Sequence, residues 1–272
     1  MRVATFRRNG LVQHGLRSGD SIAVYSGAGS AVELAVGGPP SAAAQHVKLA
    51  EVDLLPPVPR PGKIICIGLN YRAHALEGNN PIPDYPAVFM RGATSLTGPG
   101  APILYPECSD KLDFEAELAV VIGRTATRVG VADALGHVAG YCCFNDGSVR
   151  DYQRKSTQWT MGKNFDGTGG FGPELVTPDE LPPGASGLRI VARLNGEVMQ
   201  DSNTADMIFD VATLVATLSQ AMTLEPGDLI ATGTPSGVGY ARKPPVFMRP
   251  GDVIDVEIER IGTLRNTIAR RA

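Results

Sequence analysis

Residues 112–123 read LDFEAELAVVIG, a run that an extended strand organises and a helix does not. Strand side chains alternate between two faces. Leu112, Phe114, Ala116 and Leu118 then share one face, and Asp113, Glu115 and Glu117 share the other. Glu115 and Glu117 would stand ~7 Å apart at Cα, from a rise of about 3.3 Å per residue. Like charges that close repel unless solvent or a cation intervenes. The run continues into Ala119-Val120-Val121-Ile122, which points to buried surroundings. A second apolar stretch, VAGYCCFND (138–146), delivers Asp146 at its end. The acids therefore read either as a solvated stripe or as a hard-oxygen site for Mg²⁺, Mn²⁺ or Ca²⁺.

Outward from this strand, the chain alternates short apolar runs with turns. Its 272 residues include 32 glycines and 21 prolines, an excess that suits strands and tight turns over a helical bundle. MRVATFRR, SIAVYSG and AVELAVGG read as N-terminal strands, and Gly27-Ala28-Gly29-Ser30 as a hairpin turn. SAAAQHVKLA (41–50) is helix-prone, and the proline-rich LLPPVPRPGK (54–63) places a boundary near Pro61. Residues 71–100 read as a long loop of the kind that forms lids. SVRDYQRKS looks helical. Ile208, Val211, Val215, Leu218 and Met222 form one apolar stripe, predicting a helix over 205–222. Asp255, Glu257 and Glu259 alternate with Ile254, Val256 and Ile258, predicting a strand with a solvent-facing acidic side.

Whole classes drop out. The formal charge of −3 advertises neither nucleic acid nor an anionic membrane. No run of about 18 apolar residues exists, and MRVATFRRNG lacks a secretory core, so a cytoplasmic protein is expected. Cys66, Cys108, Cys142 and Cys143 lack zinc spacing and read as reduced, mostly buried thiols. No P-loop, G-x-S-x-G or H-E-x-x-H occurs, and the third glycine of a dinucleotide fingerprint is missing.

Other segments carry candidate chemistry. His74 and Glu77 would share one helical face, so the carboxylate could orient the imidazole as a general base; such pairs are also common on surfaces. Lys163 in Trp159-Thr160-Met161-Gly162-Lys163 is either a solvated lysine or a cation facing a substrate oxygen. Thr232-Gly233-Thr234-Pro235-Ser236-Gly237 can present backbone N–H groups to an anion, or serve as a turn.

The ordered set KIICIGLNYRAH, LDFEAELAVVIG, FNDGSVRDYQ, WTMGKNFD and GDLIATGTPSGVG resembles the fumarylacetoacetate hydrolase family, in its compact bacterial acylpyruvase-like branch. The resemblance spans about residues 60–268. It implies an α+β, mainly β fold: a mixed β-roll or β-sandwich catalytic domain over 61–272, with a small N-terminal α/β domain over 1–60. It assigns Glu115, Glu117 and Asp146 to a Mg²⁺ or Mn²⁺ ion, with Ca²⁺ as a substitute in vitro. It assigns His74, Glu77 and Lys163 to catalysis. Arg150, Gln153, Thr234, Tyr71 and Arg91 would contact substrate. Leu69, where some relatives carry Arg, and Arg91, where others carry Lys, border the substrate.

The implied activity is hydrolysis of a C–C bond in a β-diketo acid such as fumarylpyruvate or acetylpyruvate. Oxaloacetate decarboxylation and hydroxymuconate-type isomerisation use the same site and rank next. A non-catalytic dicarboxylate-binding protein and a nucleotide-binding oxidoreductase are the competing classes. The expected partners are a small oxo acid and a second copy in a homodimer, with no nucleic acid or membrane.

Overall fold

The computed structural model describes residues 1–27, 29–40 and 42–271. Among these residues strands dominate and the longest helix has 11 residues. A large sheet runs in the order Gln45–Lys48, Ser21–Val24, Leu11–Ser18, Arg2–Arg8, Gly169–Val176, Val138–Asp146, Ala116–Ile122, Leu229–Ala231, Ile64–Gly68, Ala87–Arg91. Along this order only Leu229–Ala231 and Ile64–Gly68 pair in parallel. A five-stranded sheet runs Glu197–Asn203, Arg189–Leu194, Val253–Ile258, Gly262–Arg270, Ile103–Tyr105. The fold is α+β and mainly β, as the sequence implies.

Strand Ala116–Ile122 lies at the centre of this arrangement. Leu118, Val120 and Ile122 pack in one core with Ile190, Val256 and Leu264 of the smaller sheet and Leu214 and Leu218 of helix Val211–Ala221. Ala119 and Val121 enter a second core with Leu34 and Ala35 of helix Ala31–Gly37. A strand buried on both faces carries a near-continuous apolar run, which is what 118–122 shows. The preceding acids inherit that burial: Asp113, Glu115 and Glu117 are all inside.

Several local expectations are corrected. AVELAVGG is a helix, Ala31–Gly37, rather than a strand; the Ser30 hydroxyl accepts from the Glu33 N–H at 3.1 Å and caps it. The S-x-x-E signal was present and the short apolar run masked it. Strand Ser21–Val24 therefore leads into a helix rather than a hairpin, and Ala28 of that turn lies outside the described residues. The helix-prone stretch beginning at Ser41, itself outside them, forms strand Gln45–Lys48 and a short 3₁₀ turn, Leu49–Glu51. Pairing with Ser21–Val24 outweighs its weak helical propensity. The helix expected over 205–222 covers Val211–Ala221, because Asp210 accepts from the Thr213 N–H at 2.8 Å and fixes the start. The 71–100 segment is not all loop: it holds helix Arg72–Glu77 and strand Ala87–Arg91. Asp255 is not solvent-facing; it is buried under a bidentate pair with Arg265 at 2.7 and 2.8 Å. All four cysteines are free, and Cys108 is exposed while the other three are buried.

Candidate metal centre and active site

The antiparallel register sets the acids together. Ala116 lies opposite Asn145, so Glu115 falls beside Asp146, and the Asp146 N–H donates to the Glu115 carbonyl at 2.9 Å. The Asn145 side chain returns an acceptor to the Glu115 N–H at 3.0 Å. Oxygens of Glu115, Glu117 and Asp146 lie within 4.8 Å of one another, all buried. Among the described residues no other group of three His, Cys, Asp or Glu side chains meets in this way.

Cations surround two of the three. Lys163, at the end of the short helix Thr160–Lys163, places Nζ 2.6 Å from Glu115 Oε2 and 2.5 Å from Asp146 Oδ2. Arg150 Nη2 lies 2.6 Å from Glu115 Oε1, as an ion pair rather than an aligned hydrogen bond. Burial by itself would raise the Glu115 carboxyl, yet Arg150 and Lys163 hold it below the ordinary range. Lys163 is raised in spite of its burial, because Asp146 and Glu115 favour the ammonium.

Glu117 differs. It accepts the Gly233 N–H at 2.9 Å and, among the described residues, has no Lys or Arg partner within ion-pair distance. Burial, then Asp146 and Glu115, push its carboxyl well above the usual range. An all-oxygen donor set with one uncompensated carboxylate fits a hard divalent cation, whose charge would settle Glu117 in its ionised form.

The expected base stands on the same cavity. His74, buried on helix Arg72–Glu77, places Nδ1 3.2 Å from Glu77 Oε2. Glu77 Oε1 accepts from the Gly237 N–H at 2.9 Å, tying the helix to the glycine-rich loop. The cavity, of about 230 Å³, is bordered by His74, Glu115, Glu117, Asp146, Arg150, Gln153, Lys163 and Thr234.

Two expected substrate contacts stand elsewhere. Tyr71 is buried off this cavity wall, its hydroxyl without a hydrogen-bond partner among the described residues. Arg91 is fully engaged: Nε donates to Ser95 Oγ, Nη2 to Thr168 Oγ1, and Nη1 to Asp146 Oδ1 and the Gly147 carbonyl. It holds Asp146 and faces no open space. The Thr234 hydroxyl borders the cavity, but its proton goes to the Ala116 carbonyl at 2.9 Å.

Sequence reasoning overlooked four contributors. Gln200 donates to Thr234 and Pro235 and accepts from the Ala116 N–H, knitting the acid strand to the glycine-rich loop. Asp113 accepts from Arg150 Nε and from the Gly239 and Tyr240 N–H groups. Trp159, the single tryptophan, lines the cavity edge-on to Phe89 at 5.4 Å. Arg154 lines it too, one helical turn after Arg150. Asp113, on the acidic face with Glu115 and Glu117, and Trp159, a lone large aromatic beside a Gly-Lys pair, carried a readable local signal.

A family model described as fumarylacetoacetate (FAA) hydrolase C-terminal matches residues 63–269. The chain belongs to the fumarylacetoacetate hydrolase family. A second model, described as Rv2993c-like, N-terminal, matches residues 1–57. Within the fumarylacetoacetate hydrolase family the chain is 47% identical to oxaloacetate tautomerase YisK of Bacillus subtilis (strain 168), over 81% of this chain and 74% of that protein. A fumarylacetoacetate hydrolase structure from Exiguobacterium antarcticum is 36% identical, with a TM-score of 0.88 and full coverage of both chains. A 2-hydroxyhepta-2,4-diene-1,7-dioate isomerase structure from Mycobacterium marinum is 34% identical, with a TM-score of 0.84, covering 100% of this chain and 99% of that one. The family thus makes this chain an enzyme of the fumarylacetoacetate hydrolase superfamily, and its members bear the names of several reactions. No helix among the described residues is long and apolar enough to cross a membrane.

Proposed function

We propose that the chain is a divalent-metal-dependent tautomerase of oxaloacetate, moving a proton between C3 and the 2-oxo oxygen. The observation that carries this reading is the meeting of His74, the three acids and Lys163 on one small cavity. The name of the 47% identical relative supports the substrate. Glu115, Glu117 and Asp146 would hold Mg²⁺ or Mn²⁺. Bound there, the cation would supply Lewis-acid polarisation of a chelated 2-oxo acid.

The chain's own groups do the proton work. Glu77 lies 3.2 Å from His74 Nδ1 and orients the ring; with Nδ1–H donating to that carboxylate, Nε2 would serve as the base. His74 takes a proton from C3; the C3–H electron pair becomes the C2=C3 bond, the carbonyl pair moves onto oxygen, and that oxygen takes the proton back from the His74 imidazolium to give the enol. Lys163 offsets the charge that develops on that oxygen. The reverse proton transfer returns the keto form.

Hydrolysis of a β-diketo acid, the first expectation from sequence, would use the same dyad on water, and the full-length match to a fumarylacetoacetate hydrolase structure favours it as the second reading. Metal-stripped enzyme, restored with Mg²⁺ or Mn²⁺, separates the readings. Metal-dependent change of the oxaloacetate enol band without pyruvate supports the tautomerase. Pyruvate from acetylpyruvate or fumarylpyruvate would replace it with the hydrolase, and pyruvate from oxaloacetate with a decarboxylase. His74→Ala should lower kcat about 10²- to 10⁴-fold and leave metal affinity unchanged; turnover near wild type would remove His74 from the mechanism.

A further inference from the structure

We infer that Arg154 binds the distal carboxylate of a dicarboxylic substrate and so sets the enzyme's preference for 2-oxo diacids over monoacids. This rests on the proposed chemistry for the near end of the substrate, and it concerns the far end.

Three permanent cations border the cavity: Lys163, Arg150 and Arg154. Two are committed. Lys163 holds Glu115 and Asp146. Arg150 gives Nε to Asp113 and Nη1 to Gln153 and sets Nη2 against Glu115. The Arg154 guanidinium has no hydrogen bond or ion pair among the described residues; it lies over the Tyr240 ring, 4.5 Å from the centroid. Arg150 lies over the same ring, also at 4.5 Å. The two guanidinium carbons are therefore no more than twice that distance apart, with Arg150 reaching the acid cluster and Arg154 exposed toward solvent. The Tyr240 backbone is anchored beside the acid strand, its N–H donating to Asp113 at 2.9 Å.

The chemistry follows from that placement. Two guanidinium groups sharing one aromatic ring repel each other, and an anion beside the outer one relieves this. Arg154 has its donors free and its guanidinium lies over an aromatic ring, so less order is lost when it takes a carboxylate as a bidentate partner. A monocarboxylic oxo acid would leave it facing water. A diacid would use it, with one end at the acid cluster and the other at the cavity mouth.

(S)-Malate and (S)-lactate differ only in the distal carboxylate and make a matched probe for calorimetric titration of Mn²⁺-loaded enzyme. Wild type should bind malate more tightly. In Arg154→Gln the malate affinity should fall about tenfold to a hundredfold, the weight of one charge-assisted contact, while lactate affinity stays within about twofold and reports an intact site. Arg154→Lys should recover part of the loss. KM for oxaloacetate should rise in parallel with little change in kcat. An unchanged malate-to-lactate ratio in Arg154→Gln, or no malate preference in wild type, would overturn the inference. If the ratio collapses but wild type does not tautomerise oxaloacetate, the proposed reaction falls and the subsite stands. If tautomerase activity persists with an unaltered KM in Arg154→Gln, the subsite falls and the reaction stands.

Discussion

Arg91 shows how a single side chain can serve a metal site without touching metal or substrate. Its planar fork reaches Ser95, Thr168 and Asp146 at once, a geometry lysine cannot reproduce. Arg91→Lys should weaken Mn²⁺ binding about 10- to 100-fold, the usual cost of losing support behind a ligand, with kcat of the metal-saturated enzyme near wild type. Calorimetric Mn²⁺ titration tests this; unchanged metal affinity with lost oxo-acid binding would return Arg91 to the substrate. The acids were legible in sequence because strand alternation and strand ends are local properties, although the expected single strand is broken at Phe114 and Glu115 into Leu112–Asp113 and Ala116–Ile122. Arg91's task was not, because its partners Asp146 and Thr168 lie 55 and 77 residues away. The placement of Tyr71 off the cavity wall is likewise a tertiary fact.

Among elements, the four-residue helix that carries Lys163 is positioned by contact more than by its own stability, since one turn has almost none. It packs against helix Arg150–Gln153 through Gly162, where an added Cβ would sit 2.4 Å from the Gln153 backbone nitrogen. Gly162→Ala must push the two helices apart and draw Lys163 away from Glu115 and Asp146. It should cost about 1–3 kcal/mol of stability and lower kcat. Gly136→Ala, which meets nothing within 4 Å, is the matched control. Equal melting temperatures and rates for the two variants would show that the packing is looser than the geometry requires. Element type was readable wherever periodicity was long, as in Val138–Asp146. It was misread at Ala31–Gly37, where seven residues hold too few periods and the Ser30 cap was the better signal. It was misplaced at Val211, where a cap and not hydrophobicity begins the helix.

At the scale of the whole molecule, the N-terminal strands extend the large sheet instead of standing apart from it. Arg2 and Val3 pair with Val176 and Leu175, and Arg2 and Arg17 reach the buried Glu174 at 3.0 and 2.8 Å. Replacing both arginines with Met leaves that carboxylate buried and unpaired. Because both arginines are partly solvent-exposed, the expected cost is about 1–3 kcal/mol, a fall in melting temperature of about 2–10 °C; an unaltered melting temperature would mean that the sheet ladder alone joins the two parts. Composition foretold the strand-rich architecture, but nothing in the prolines near residue 61 foretold this ladder, because pairing partners as far apart as Arg2 and Val176 leave no local mark. The Glu77 carboxylate spans a comparable distance, gripping His74 with one oxygen and the Gly237 amide with the other. That amide is therefore a clock for the base: its hydrogen exchange should be slow while the imidazole is held in its working orientation and should quicken in Glu77→Ala, so one NMR signal can time how often the enzyme is ready to react.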